Sequence, residues 1–317
     1  MRKYLFLLLL CNWCVMAHAS PELTAAIENA RNMCGGISEE LSDLKKMAGI
    51  NTAVTAVGTV AGGVALGTGI AKASIDKKAE ALEAEIIEMD GYRLKKVSVQ
   101  EFYLQLGDML KQVDGAESAA KAIDMRRAEL ERLVKQSKNL GNWRTGSMAV
   151  GTVANIAGAV IAGNNRVKGD LAWQIGACMG AVKALSDARM QARISGSANE
   201  EDLARAENIV RVCEEWSMVD LGSINKKATG AATSSGVGAV LGLAGTVTSA
   251  MANTDSTRND NSDAGKAKEK NLNMASNILA GGTTVAGGVA TVFNATQISA
   301  IKRAVETAEK CEEALRQ

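Results

Sequence analysis

Residues 228–252, ATGAATSSGVGAVLGLAGTVTSAMA, carry no charge and combine bulky with small side chains at helical spacing. Valine and methionine form one stripe, and Gly238, Gly242 and Gly245 lie on another. Steps of three and four residues place such positions on one face of an α-helix. Small residues on that face let two helix backbones approach closely, as they do between membrane helices. The pattern therefore predicts a close-packed helix.

Three further stretches, 48–71, 145–165 and 274–297, are also uncharged and rich in glycine, alanine, threonine and valine. Glycine lowers helix stability by up to ~1 kcal/mol per residue relative to alanine, so these helices need packing in order to form. The four stretches resemble the glycine-zipper helix pairs of bacterial envelope proteins, a resemblance of composition that covers under a third of the chain. The glycines predicted to form helix-packing ridges are Gly58, Gly62, Gly69, Gly151, Gly158, Gly238, Gly242, Gly245, Gly281 and Gly288.

Four cysteines, Cys34, Cys178, Cys213 and Cys311, each lie about 14 residues outside one Gly-rich stretch. An even number of cysteines in an exported chain indicates disulfides. Two helices folded antiparallel bring positions equally distant from their turn to the same level. The spacing therefore predicts that Cys34 pairs with Cys178 and that Cys213 pairs with Cys311.

The order of cysteine, Gly-rich stretch, connection, Gly-rich stretch and cysteine occurs twice, which we interpret as an internal duplication. The first helical-hairpin unit covers 20–195 and contains a helical insertion at 72–144. The second covers 196–317 and has a polar, exposed tip at 253–270. One proline in the whole sequence leaves long helices unbroken. The predicted fold is all-α, with long antiparallel hairpins joined by disulfides.

Residues 1–19 have the features of a secretory signal peptide. Arg2 and Lys3 form a basic start, an apolar run follows, and Ala17-His18-Ala19 supplies a small-x-small cleavage pattern. We therefore expect export to the periplasm, the cell envelope or the medium.

Composition excludes several functions for the exported chain. Its only histidine, His18, lies in the signal, so no Ser-His or Cys-His catalysis and no imidazole metal site is expected. Removing Arg2 and Lys3 leaves 36 − 2 = 34 basic against 35 acidic residues, a balance without electrostatic attraction to nucleic acid. Gly265-Lys266 lacks the glycine and the hydroxyl residue of a phosphate loop. We therefore expect that the protein is not an enzyme and that it binds no cofactor and no metal.

The sequence leaves two functional hypotheses open. The Gly-rich stretches have 21 to 25 residues, which suits ~30 Å of hydrocarbon, but they contain few bulky apolar residues. The first hypothesis is a non-enzymatic cell-envelope protein whose Gly-rich hairpins insert in or dock on a membrane, with self-association as an extension. The alternative is a soluble periplasmic or secreted scaffold that binds another protein through the 72–144 helices. Strands would also suit valine and threonine, although the stripe spacing argues against them.

Overall fold

The structure is a computed structural model that describes residues 20–90, 117–258 and 262–317. All regular secondary structure in these ranges is helical, and none of it is strand. The prediction of an all-α fold with close-packed, disulfide-joined helices is confirmed. The predicted signal peptide lies outside the described residues.

Eight α-helices and one 3₁₀ helix follow each other in the described ranges. Two of the breaks between these helices contain a glycine with positive φ: Gly36, with φ of 84°, and Gly196, with φ of 63°. These left-handed conformations favour glycine, which has no Cβ. The helices are α1 Pro21–Cys34, α2 Ile37–Asp90, α3 Glu117–Asn164, α4 Gly169–Ser195, α5 Glu200–Cys213, the 3₁₀ helix Glu214–Met218, α6 Leu221–Ala252, α7 Asp255–Arg258 and α8 Asp263–Arg316.

The connection between α6 and α8 is shorter than the sequence suggests. The expected polar loop at 253–270 contains α7, and α8 already begins at Asp263. The Ser262 hydroxyl accepts a hydrogen bond from the backbone nitrogen of Gly265 at 3.0 Å and so caps the start of α8. The exposed lysines of this segment are therefore helical, while 259–261 lie outside the described residues.

The chain forms two compact units, and each draws segments from both halves of the sequence. Unit 1 comprises the described part of Met1–Thr52, with Ile161–Ala231 and Val292–Gln317. Unit 2 comprises the described parts of Ala53–Val160 and Ala232–Thr291. The division predicted after residue 195 coincides with the end of α4, but the compact units group the residues differently. The internal duplication stays a prediction.

Unit 1 has an apolar core of large aliphatic side chains. Helices α1, α4 and α5 pack there with the unit 1 segments of α2, α6 and α8, and Trp216 of the 3₁₀ helix is buried among them. Burying such side chains removes apolar surface from water, the dominant favourable term in folding. The largest buried aliphatic residues of this core are Leu23, Ile37, Leu41, Leu185, Ile209, Ile224, Ile301 and Leu315.

Unit 2 is built from segments of α2, α3, α6 and α8 that run antiparallel to their neighbours. Residue numbers rise along one helix as they fall along the next: Gly62 and Gly69 of α2 face Thr284 and Asn277 of α8. Each helix has two antiparallel neighbours, as in an up-and-down four-helix bundle. The other neighbouring pairs include Gly58 with Asn155, Gly242 with Thr152, and Gly245 with Leu279.

Candidate functional site

The glycine ridges lie inside the unit 2 bundle. Eight of the ten predicted ridge glycines are buried. A Cβ atom built on Gly62 would lie 2.7 Å from the Thr284 hydroxyl and 3.2 Å from its backbone nitrogen. Real Cβ atoms do not approach other atoms so closely, so the backbones of α2 and α8 touch here because Gly62 has no side chain. The eight are Gly58, Gly62, Gly69, Gly151, Gly158, Gly238, Gly242 and Gly245.

The ridge of the fourth stretch differs from the prediction by one position. Gly281 has open space where its Cβ would be, and Gly288 has only a methyl group of Thr59 at 4.0 Å. The neighbouring glycines make the close contacts instead: a Cβ on Gly282 would lie 2.9 Å from a Leu241 methyl group. A Cβ on Gly287 would lie 2.8 Å from the Thr59 hydroxyl. Each of these positions belongs to a pair of adjacent glycines, and the sequence pattern does not show which glycine of a pair makes the contact.

Most bulky apolar side chains of unit 2 point outward. One valine on each helix shows this: Val60 and Val153 are 66% exposed, Val240 is 66% and Val285 is 67% exposed. We call these and the similarly exposed apolar residues around them the apolar belt. The belt also contains Val57, Val64, Ile70, Val150, Ile156, Val160, Val237, Leu243, Val247, Met251, Met274, Ile278 and Val289.

Hydroxyl groups occupy much of the space between the helices. The Thr152 hydroxyl donates to the Met148 carbonyl at 2.8 Å, and the Thr284 hydroxyl donates to the Ala280 carbonyl at 2.9 Å. The Thr291 hydroxyl donates to the Gly287 carbonyl at 2.9 Å, and its oxygen lies 3.2 Å from the Thr55 hydroxyl. Bonds to the carbonyl one turn earlier satisfy a buried hydroxyl within its own helix. The interior side chains are thus mostly small and many are polar, apart from an apolar cluster around Met148.

A buried arginine closes one end of this interior. Arg144 of α3 is fully buried, and its Nε donates to the Ser249 hydroxyl at 3.0 Å. Its Nη1 and Nη2 donate to the side-chain oxygens of Asn277 at 3.3 Å and Asn273 at 2.7 Å. A buried charge is tolerated only when such groups replace its hydration.

A lysine cluster adjoins the same end of the bundle. Lys72 is 1% exposed, and its Nζ contacts the carboxylates of Asp76 at 2.7 Å and Glu269 at 3.2 Å. The Ser137 hydroxyl donates to the second oxygen of Asp76 at 2.7 Å. The sequence offered one signal for this layer, since Lys72 directly follows one Gly-rich stretch and Arg144 directly precedes another. Their burial could not be predicted, because charged residues at such boundaries are usually solvated.

The cysteines lie in the core of unit 1. The structure joins Cys34 to Cys178 and Cys213 to Cys311, the pairs that the spacing predicts. The Sγ atoms of Cys34, Cys178 and Cys311 all lie within 4.8 Å of one another, so the two disulfides are neighbours. Such bonds persist in an oxidising compartment.

The protein is thus a helical, disulfide-bonded protein, and its unit 2 bundle has an apolar surface. Four helical segments in the described ranges are long and apolar enough to cross a membrane, by length and composition. They suit membrane association. Comparison with protein families, with curated proteins and with solved structures finds no match for this chain.

Proposed function

We propose that this is an exported, non-enzymatic protein of the cell envelope whose Gly-rich bundle inserts in or docks on a membrane. One observation carries the proposal: unit 2 places most of its bulky apolar side chains outside and mostly small or polar ones inside. Soluble proteins show the reverse arrangement, since they bury bulky apolar side chains away from water.

The apolar belt exposes many bulky aliphatic side chains, an arrangement that is unusual on a soluble protein. Soluble monomers rarely expose contiguous apolar patches of more than a few hundred Å². The belt contains exposed valine, leucine, isoleucine or methionine on all four helices of unit 2. In a bilayer these side chains would contact acyl chains, which are as apolar as they are.

The interior of unit 2 also fits a membrane bundle. Lipid cannot hydrogen-bond to polar groups, so these must find partners within the protein. The hydroxyls of Thr59, Thr152 and Thr284 each donate to a carbonyl of their own helix. Small residues then permit close backbone contact, which drives helix association where no hydrophobic effect operates.

The length of the belt matches a bilayer. On α3 the belt runs from Val150 to Val160, and the exposed Trp143 extends this apolar face to 18 residues or ~27 Å of helix, against ~30 Å of hydrocarbon. Trp143 is 67% exposed and lies beside the buried Arg144. Tryptophan is frequent at membrane–water interfaces, because its ring is apolar and its N–H needs a polar partner. The Lys72 and Arg144 layer would thus mark one interface.

The first test is fractionation followed by flotation with phosphatidylcholine and phosphatidylglycerol vesicles. We expect the native protein to resist alkaline carbonate extraction and the purified protein to float with the vesicles. Chemical cross-linking in the same vesicles tests self-association. Release by carbonate and no flotation of the folded protein would contradict the proposal, and the soluble scaffold that binds a partner through 72–144 would replace it.

Two matched double variants test whether binding to vesicles depends on the apolar belt. Val60→Lys with Val285→Lys places two charges at one level of the belt, since the neighbouring Gly62 and Thr284 are in contact. A charge at the centre of a membrane helix costs ~2.5–3.5 kcal/mol on insertion scales, so flotation should be lost. Met125→Lys with Val134→Lys changes residues that are 68% and 51% exposed but lie outside the belt. The control should float like the original protein.

A further inference from the structure

A group of exposed lysines lies just beyond the apolar belt, at the end of unit 2 where Lys72 and Arg144 are buried. These lysines come from three of the four helices of the bundle. We call them the lysine collar, and it comprises Lys77 and Lys78 of α2, Lys135 and Lys138 of α3, and Lys268 and Lys270 of α8.

Contacts inside the bundle place the collar at one level. The Ser137 hydroxyl donates to Asp76, and the carboxylates of Asp76 and Glu269 both contact Lys72. A collar lysine directly follows each of the three residues that surround Lys72, so the collar encircles this cluster. The neighbouring pairs are Asp76 and Lys77, Ser137 and Lys138, and Glu269 and Lys270.

The acidic residues of this region do not offset the charge of the collar. The side chains of Asp76 and Glu269 are only 32% and 26% exposed, and both are directed to the buried Lys72. Helix α3 contains no acidic residue from position 132 to its end at 164. The surface next to the belt is therefore positively charged. The next acidic residues along the three helices lie farther from the belt than the collar and are Glu80, Glu131 and Asp263.

The distance between collar and belt corresponds to the depth of lipid headgroups. Lys270 precedes the belt residue Met274 by four residues, or ~6 Å of helix, and Lys77 follows Ile70 by seven residues, or ~10.5 Å. The headgroup region extends about 5–8 Å beyond the hydrocarbon on each side of a bilayer. Lysine side chains are long enough to reach that region from either direction.

We propose that the lysine collar binds the phosphate groups of anionic phospholipids while the apolar belt contacts their acyl chains. The inference rests on the proposed membrane function and adds the class of lipid. An anionic lipid keeps the full negative charge of its phosphate, whereas phosphatidylcholine offsets that charge with its choline group. One lysine near an anionic membrane surface strengthens binding about fivefold. Continuity with the belt favours a lipid over a soluble acidic partner, since a lipid contacts both surfaces at once.

The test uses Trp143 as a fluorescent reporter, because it is 67% exposed and lies between collar and belt on α3. The full chain with Trp13→Phe and Trp173→Phe is reconstituted in vesicles of equal phosphatidylcholine and phosphatidylglycerol, and one lipid or the other carries bromine on its acyl chains. Trp216 is buried in the core of unit 1, and its emission is subtracted with Trp143→Phe. We expect brominated phosphatidylglycerol to quench Trp143 at least about twofold more than brominated phosphatidylcholine, because the collar gathers anionic lipid.

Removing charge from the collar should abolish this preference. Lys77→Gln, Lys135→Gln and Lys270→Gln together remove one positive charge from each of the three helices, so the two lipids should quench equally. Salt provides a second measurement on the original lysines. Sodium chloride at ~1 M shortens the Debye length to ~3 Å, so the preference should also disappear there.

A matched control removes the same charge from exposed positions of unit 1. Lys183→Gln, Lys302→Gln and Lys310→Gln should keep the preference for phosphatidylglycerol. Equal quenching of the original protein by both lipids would overturn the inference alone and would assign the collar to a soluble acidic partner. A preference that survives in the collar variant, or that is lost equally in the control, would also overturn it. No quenching by either lipid would overturn the membrane function together with the inference.

Discussion

Unit 1 and unit 2 are built partly from the same long helices but follow opposite rules of burial. In unit 1, Leu185, Ile209 and Ile301 are fully buried and two disulfides lie among them. In unit 2, Val60 and Val240 are exposed, and glycine, threonine and serine fill the interior. One long helix can therefore bury its bulky side chains in unit 1 and expose them in unit 2.

The two units must also be stabilised by different forces. Each buried leucine or isoleucine of unit 1 contributes ~1.5–3 kcal/mol by leaving water. Unit 2 buries few large apolar side chains, so close backbone contact and internal hydrogen bonds must hold it. Substitutions with the same chemistry should therefore have different effects in the two units.

The largest effect should come from the disulfides of unit 1. Their cysteines are separated by 144 and 98 residues in sequence. The chain-entropy model assigns ~5 kcal/mol to each such loop as an upper value. Cys34→Ser with Cys178→Ser should lower the free energy of unfolding by up to that amount, measured by denaturant titration with circular dichroism.

Hydrogen exchange would show where that loss occurs. Amides of α1 and α4 should exchange faster in the double serine variant, because the removed bond joined these helices. Amides near Gly62 and Gly151 should change less, since unit 2 contains neither disulfide. Equal loss of protection in both units would contradict the view that they are stabilised separately.

The next largest effect should come from the charged layer of unit 2. Arg144→Leu removes the donor from Ser249, Asn273 and Asn277. Three polar groups left without this partner, at ~1 kcal/mol each or more, predict a loss of ~3 kcal/mol in thermal unfolding. Arg132→Leu, an exposed position on the same helix, should change stability by less than ~0.5 kcal/mol. A loss of similar size in both would mean that the layer does not stabilise unit 2.

Much of the fold could be predicted from the sequence, because its signals are periodic and repeated. The cysteine spacing gave the disulfide pairs, and the uncharged stretches gave four helices. The polar pattern does not reveal that α8 begins at Asp263, because the residues after Ser262 are typical both of loops and of solvated helix faces. Within the candidate site, helical spacing indicates Gly281, whereas the close contact is made by the adjacent Gly282. The lysine collar could not be recognised from the sequence, since only the packing of α2, α3 and α8 shows that its lysines lie at one level.

A smaller effect should separate two adjacent glycines of α2. Gly62→Ala brings a Cβ within 3.3 Å of the Thr284 backbone, so overpacking should cost ~1–3 kcal/mol, partly offset by helix propensity. Gly63→Ala has open space and should stabilise the protein by ~0.5–1 kcal/mol, because alanine favours the helix. Melting temperatures that move in opposite directions are expected. A shift of the same sign in both variants would show that the ridge is not a close contact.

The smallest effect should distinguish the two kinds of surface directly, with a substitution that preserves shape. Val182 is buried in the core of unit 1, so Val182→Thr places a hydroxyl among aliphatic side chains and should cost ~1 kcal/mol, even if the hydroxyl bonds to the carbonyl one turn earlier. Val240 belongs to the apolar belt, so Val240→Thr should change the free energy of unfolding in water by less than ~0.5 kcal/mol. The same variant should bind vesicles more weakly, because threonine is less favourable than valine against acyl chains. Equal destabilisation at both positions, with unchanged vesicle binding, would mean that the belt is covered by protein rather than by lipid.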